Sequence, residues 1–186
     1  GSLGGAFIKK LDSTIIEKSI SDMIKIGNIT IQDLTEARLK IETIILEVTI
    51  TKMGKDDLNA LEKNIEEAER QINEEKRPAT SNINFHLLLA KASKNPLFEI
   101  FAESIMGVMN SFLISTNLGL PYSRRILNYH KEIHSALKQK DLKTAKKKME
   151  QHLLDINQKL CKSNSLRKRW LNVSRQNIRK EITAGR

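Results

Sequence analysis

Cysteine is almost missing from this chain of 186 residues, where Cys161 stands alone. A single thiol closes no internal disulfide, which fits a reducing, cytoplasmic compartment. Proline and glycine are sparse too, at three and eight residues, and the period-two alternation of a half-buried strand is hard to find. No apolar run approaches the ~18 residues that a membrane span needs, and no basic-then-apolar leader opens the chain. A Gly-rich phosphate loop is absent, and no Ser-His-Asp arrangement can be argued.

Apolar positions recur instead at three- and four-residue intervals almost throughout. With 39% hydrophobic residues, this predicts an all-α protein with one core, an antiparallel bundle of about seven helices. The spacing and cap residues place helices from Ser13 to Ile26 (capped by Asp12 or Ser13), from Thr30 to Lys52, and from Lys55 to Arg77 up to Pro78. Four more follow: one capped by Thr80 or Ser81 and ending near Lys94, one from Asn95-Pro96 to Thr116, one from Ser123 to Gln139, and one from Asp141 to Cys161. The third interleaves acidic with basic residues, as a solvent-facing helix does.

The net charge of +10 is unevenly spread. Residues 161–186 carry eight basic residues against Glu181 alone, a net of +7, so the remaining body holds only +3. Such a tail either touches phosphate or acidic surface or is a solvated helix end. Trp170 within it reads as an anchor onto the bundle. Gly1-Ser2 reads as a cloning scar.

Three of the four histidines fall near the middle of apolar helical stripes. His86 sits in the run Asn82-Ile-Asn-Phe-His86-Leu-Leu-Leu-Ala90, apolar on nearly all sides. His130 lies one turn from Ile126, Ile133 and Leu137, and His152 one turn from Met149 and Ile156. Asn82, four residues before His86, shares its helix face. Imidazole nitrogens with an amide oxygen suit a divalent ion. The alternative is that each histidine only hydrogen-bonds a neighbour in the core. Arg38 lies at the centre of the stripe Leu34, Ile41, Ile45, Val48, where an unmet charge is costly. Either Glu42 pairs with it one turn on, or its planar fork grips a carboxylate in a cavity.

Other features carry less. His130-Lys-Glu-Ile-His134 puts its glutamate at the wrong position for a zinc-protease motif, and His134 reads as a surface residue or a support behind the ligands. Met106, Met109, Phe101 and Phe112 read as core packing.

These residues, in order, resemble the effector-binding FCD domain of the FadR branch of GntR-type bacterial transcription regulators, from about Ile15 to Leu160. The matching segments are Asp33-Leu-Thr-Glu-Ala-Arg38-Leu-Lys-Ile-Glu42, Asn82-Ile-Asn-Phe85-His86 with Ala92-Ser-Lys-Asn95-Pro96, and His130-Lys-Glu-Ile133-His-Ser-Ala136-Leu. The last is followed by Asp141, Ala145 and Met149-Glu-Gln-His152-Leu153, and the step of 22 residues from His130 to His152 is the family's spacing. Upstream, Leu3-Gly-Gly-Ala-Phe-Ile8 is similar to the end of a winged helix-turn-helix. The resemblance implies residues 1–10 as scar, wing remnant and linker, 11–160 as the ligand-binding and dimerisation domain, and 161–186 as a basic extension.

It further implies a homodimer, with no membrane association, that senses a small organic acid and binds operator DNA through a winged helix-turn-helix outside this chain. His86, His130 and His152 then match three metal ligands, and Arg38 the carboxylate-gripping arginine. The metal is expected to be zinc, with nickel, manganese or iron also accepted. Asn82 stands where the family has an aspartate, so the site loses one negative ligand: either the metal is retained and the demand for an anionic effector rises, or tight metal binding is given up and the effector is hydrogen-bonded directly. No enzymatic activity is expected. The competing readings are a metal-dependent enzyme acting on a small carboxylate, for which Asp155 or Glu132 is the nearest general base in sequence, and a structural dimerisation module with Arg38 paired to Glu42.

Overall fold

The computed structural model describes residues 13–116 and 118–162. Among these residues there are seven helices and no strand: α1 Ser13–Lys25, α2 Ile31–Lys52, α3 Lys55–Asn73, α4 Ala79–Ala92, α5 Pro96–Ser115, α6 Leu120–Lys138 and α7 Leu142–Lys162. The all-α bundle expected from the apolar spacing is therefore present. The wing-like start, Trp170 and all but the first residues of the basic extension lie outside the described residues. No described helix is long and apolar enough to cross a membrane.

Local chemistry sets the helix starts. Thr30 and Asp33 form a capping box at α2: Thr30 Oγ1 accepts the Asp33 N–H at 3.1 Å, and the Asp33 carboxylate accepts the Thr30 N–H at 2.8 Å. At α5, Asn95 Oδ1 accepts the Leu97 N–H at 3.0 Å, and Pro96 occupies the first turn, where its missing N–H costs nothing. Three boundaries depart from expectation. The third helix stops at Asn73 rather than Arg77, because Glu75 turns left-handed (φ 58°) and the Lys76 N–H returns to the Gln71 carbonyl at 2.8 Å. The fourth begins at Ala79 behind Pro78, with no side-chain cap from Thr80 or Ser81. The sixth begins at Leu120, with Pro121 in its first turn, rather than at Ser123.

α4 is the hub. It packs against α3, α5 and α2 and touches α6, while α2 and α6 both lie against α7, α3 also lies against α6, and α1 covers α5. The buried Thr49 hydroxyl ties α2 to α4 by donating to the Leu89 carbonyl at 2.9 Å. The apolar core has two lobes. Leu46, Leu61, Ile72, Phe85, Ile133 and Met149 anchor one, and Met106, Met109, Phe112, Ile126 and Ile156 the other. Each such fully buried side chain contributes about 1.5–3 kcal/mol of transfer free energy. α3 is charged on one face only, since Leu61, Ile65, Ala68 and Ile72 are buried. Met106, Met109 and Phe112 are core residues as expected, but Phe101 is 38% exposed.

Candidate metal centre

Helices α2, α4, α6 and α7 each send polar side chains to the junction of the two core lobes. His86 comes from α4, His130 from α6 and His152 from α7, and all three are buried. Their Nε2 atoms converge: His86 to His152 is 3.2 Å and His130 to His152 is 3.3 Å. One ligand atom from each lies within 4.8 Å of the others, which is compatible with metal binding. Phe85 stacks flat on the His130 ring, centroids 4.0 Å apart at 8°, and so fixes the plane of that imidazole.

Behind His86 stands an acid. Glu42 Oε2 lies 2.5 Å from His86 Nδ1, and Glu42 Oε1 accepts the Arg38 Nε–H at 2.8 Å. Burial raises the Glu42 pKa, but the His86 and Arg38 charges outweigh it and hold the carboxyl down to about 2. An ionised Glu42 can only accept, so His86 Nδ1 carries a proton toward it, and His86 Nε2 faces His152. Burial, reinforced by the neighbouring imidazoles, keeps the pKa of His130 and of His152 well below the ordinary 6.5. Neutral imidazole is the form that binds a metal.

Asn82 and Arg38 line the same small cavity as His86 and His152, closed by Met106, Met109 and Ile156, with about 10 Å³ of free space. That is room for roughly one water or one ion. Asn82 Oδ1 is buried there without a hydrogen-bond partner, as is His152 Nδ1. An orphaned acceptor beside converging imidazole nitrogens is what a cation would satisfy.

The five residues singled out in the sequence thus meet at one place, with Arg38 bound to Glu42 as one of its two readings required. The role of Glu42 toward His86 is new, because the two are 44 positions apart; its only sequence signal was its place one turn after Arg38. His134 is not a surface residue. It is buried, and its Nε2 lies 3.2 Å from the Leu58 carbonyl of α3. Both candidate general bases have basic partners: Asp155 pairs with Arg125 at 2.8 Å and Glu132 with Lys148 at 2.9 Å.

Residues 33–155, more than half of the chain, match the family model described as the FCD domain. An uncharacterised HTH-type transcriptional regulator of Bacillus subtilis, YcbG, is 26% identical over 147 residues, which span 76% of this chain and 59% of that protein. The Uxu operon transcriptional regulator of Escherichia coli is 29% identical over 142 residues, 72% of this chain and 55% of its own length. The chain therefore spans less than two thirds of the curated relatives it matches. Among solved structures, the fold is similar to E. coli McbR/YncC (TM-score 0.64, 13% identity, 81% of each chain). It is also similar to Streptococcus agalactiae GntR (TM-score 0.58, 22% identity, 82% of this chain and 63% of that one). The curated relatives are named as transcriptional regulators rather than enzymes. The chain belongs to the FCD domain family, whose relatives here are GntR-type transcriptional regulators.

Proposed function

We propose that this chain is the effector-sensing and dimerisation part of a GntR/FadR-type transcription regulator of the bacterial cytoplasm, and that it senses a small organic acid through a divalent metal. The observation that carries this reading is the convergence of the three Nε2 atoms, with separations of 3.2 and 3.3 Å. The edge of a tetrahedron of nitrogens about 2.0–2.1 Å from zinc is roughly 3.3 Å. His86, His130 and His152 are the ligands and Asn82 Oδ1 a fourth. Zinc suits this set best, and nickel, manganese or iron would also fit.

All four ligands are neutral, so the ion's double charge is balanced only by what binds to it. Arg38 and Glu42 cancel each other. An anion is required, and a carboxylate meets both the metal and the Arg38 guanidinium, whose Nε alone is engaged with Glu42 among the described residues. Ligand binding at a junction of α2, α4, α6 and α7 reaches most of the bundle, as an effector must if it is to change how a homodimer presents winged helix-turn-helix heads to operator DNA.

Metal content measured by mass spectrometry on protein purified without a nickel column tests this. Near one equivalent of a divalent ion per chain is expected, lost in His86→Ala and in His152→Ala, with circular dichroism to verify folding. A metal-free protein that takes up neither zinc nor manganese on incubation contradicts the reading.

A further inference from the structure

The cavity at the histidines, about 10 Å³, is too small for an organic acid, and a larger space lies beside it. A second cavity of about 350 Å³, open to solvent, shares Asn82, Leu113 and Ile126 with the first. Only this outer one reaches the lower end of the ~300–1,000 Å³ usual for small-ligand sites. With Asn82, Leu113 and Ile126 as common walls, this is the neighbouring space large enough for the body of an acid held at the inner centre.

The outer cavity has its own polarity. Leu118 and Ile126 supply apolar wall, while Lys76 and Arg77 stand where the α3–α4 turn meets it. The start of α4 lines it as well, through Pro78 and Ala79. That helix has no side-chain cap and no acidic residue in its first turn, so its first N–H groups and dipole favour an anion. Ser123, 4% exposed, lines the same space. Lys76 pairs with Glu74 at 2.9 Å, but the Lys76 side chain is 69% exposed, and a solvated pair of this kind yields easily.

We propose that the outer cavity is the second half of the effector site and that it takes the distal anionic group of a short dicarboxylic acid. This rests on the metal-and-carboxylate reading above. One carboxylate sits at the inner centre with Arg38. The carbon chain lies against Leu113, Leu118 and Ile126, and the second carboxylate meets Lys76, the Ser123 hydroxyl and the first turn of α4.

Calorimetric titration of the zinc-loaded chain with succinate and glutarate, each against butyrate and valerate of matched length, tests the assignment. One dicarboxylate is expected to bind about tenfold tighter than its matched monocarboxylate, the worth of one charge-assisted hydrogen bond. Lys76→Glu is expected to remove that advantage and leave the monocarboxylate unchanged, whereas Lys52→Glu, the same charge change on another helix, keeps it. Equal binding of the matched acids, or equal loss of both in Lys76→Glu, overturns the dicarboxylate assignment and leaves the carboxylate sensor standing. Failure of every acid to bind the zinc-loaded chain overturns both.

Discussion

Glu42 and His86, on different helices, are joined by a 2.5 Å contact between Oε2 and Nδ1, while the other carboxylate oxygen holds Arg38 at 2.8 Å. One buried acid therefore both neutralises an arginine and orients an imidazole. Removing it does two separable things. Glu42→Ala leaves Arg38 buried without its partner, a loss of about 3–5 kcal/mol, and frees His86 to rotate or change tautomer, which lowers metal affinity by roughly 10–100-fold. Urea unfolding of the metal-free protein reads the first effect and competitive zinc titration the second. Unchanged zinc affinity in a folded Glu42→Gln protein would show that Glu42 serves Arg38 alone.

Phe85 supplies the other restraint on the histidines. It is fully buried, and its ring lies flat on His130. Phe85→Ala is expected to destabilise the chain by about 3–5 kcal/mol through the cavity it leaves. Phe85→Leu keeps most of the volume and loses the stack. If the stack positions His130, the leucine variant binds zinc more weakly than its modest stability loss explains; if both variants lose zinc only in proportion to unfolding, the ring is packing and nothing more.

The sequence revealed most where chemistry is local. Thr30 with Asp33, and Asn95 with Pro96, mark helix starts because the cap and its target lie within three residues. It misled where a partner is distant or a conformation unsignalled. Glu75 carries the left-handed turn that ends α3, yet glutamate gives no hint of positive φ, and Pro78 drew the boundary four residues too far. His134 looked peripheral because its partner, the Leu58 carbonyl, belongs to another helix. The candidate site was legible because burying one histidine in a helical stripe is unusual, and three such stripes needed a common explanation. The tie from Glu42 to His86 was not, since no spacing rule links residues 44 apart.

Without metal, the histidines impose a pH dependence on stability. Burial, aided by neighbouring imidazoles, holds the folded pKa of His130 and His152 well below 6.5. Unfolded, both titrate near 6.5, so below that pH the unfolded chain binds protons that the folded chain refuses. Their contribution is flat at higher pH, and stability falls as pH drops through 6.5, by up to ~1.4 kcal/mol per group for each pH unit. Urea midpoints in EDTA at about pH 7.5 and 5.5 should separate accordingly, and the separation should shrink in His130→Phe. A profile that is the same in both proteins contradicts the assignment of this slope to His130.

Asn82 offers the sharpest test of how charge is distributed at the centre. As an amide it can lend Oδ1 to an ion and no charge, so under the proposed function a bound carboxylate would supply the compensation. Asn82→Asp keeps the shape and adds a negative ligand. Metal should then bind on the order of tenfold more tightly, or about 1.4 kcal/mol, because the ion no longer depends on an outside anion. The acid should bind more weakly by a similar factor, since a fixed carboxylate now lies beside its own. Opposite changes in the two affinities, measured by zinc competition and by calorimetry with acid, are the signature of a shared charge requirement. If both rise together, Asn82 lies outside the coordination sphere and its orphaned oxygen serves the acid or a water instead.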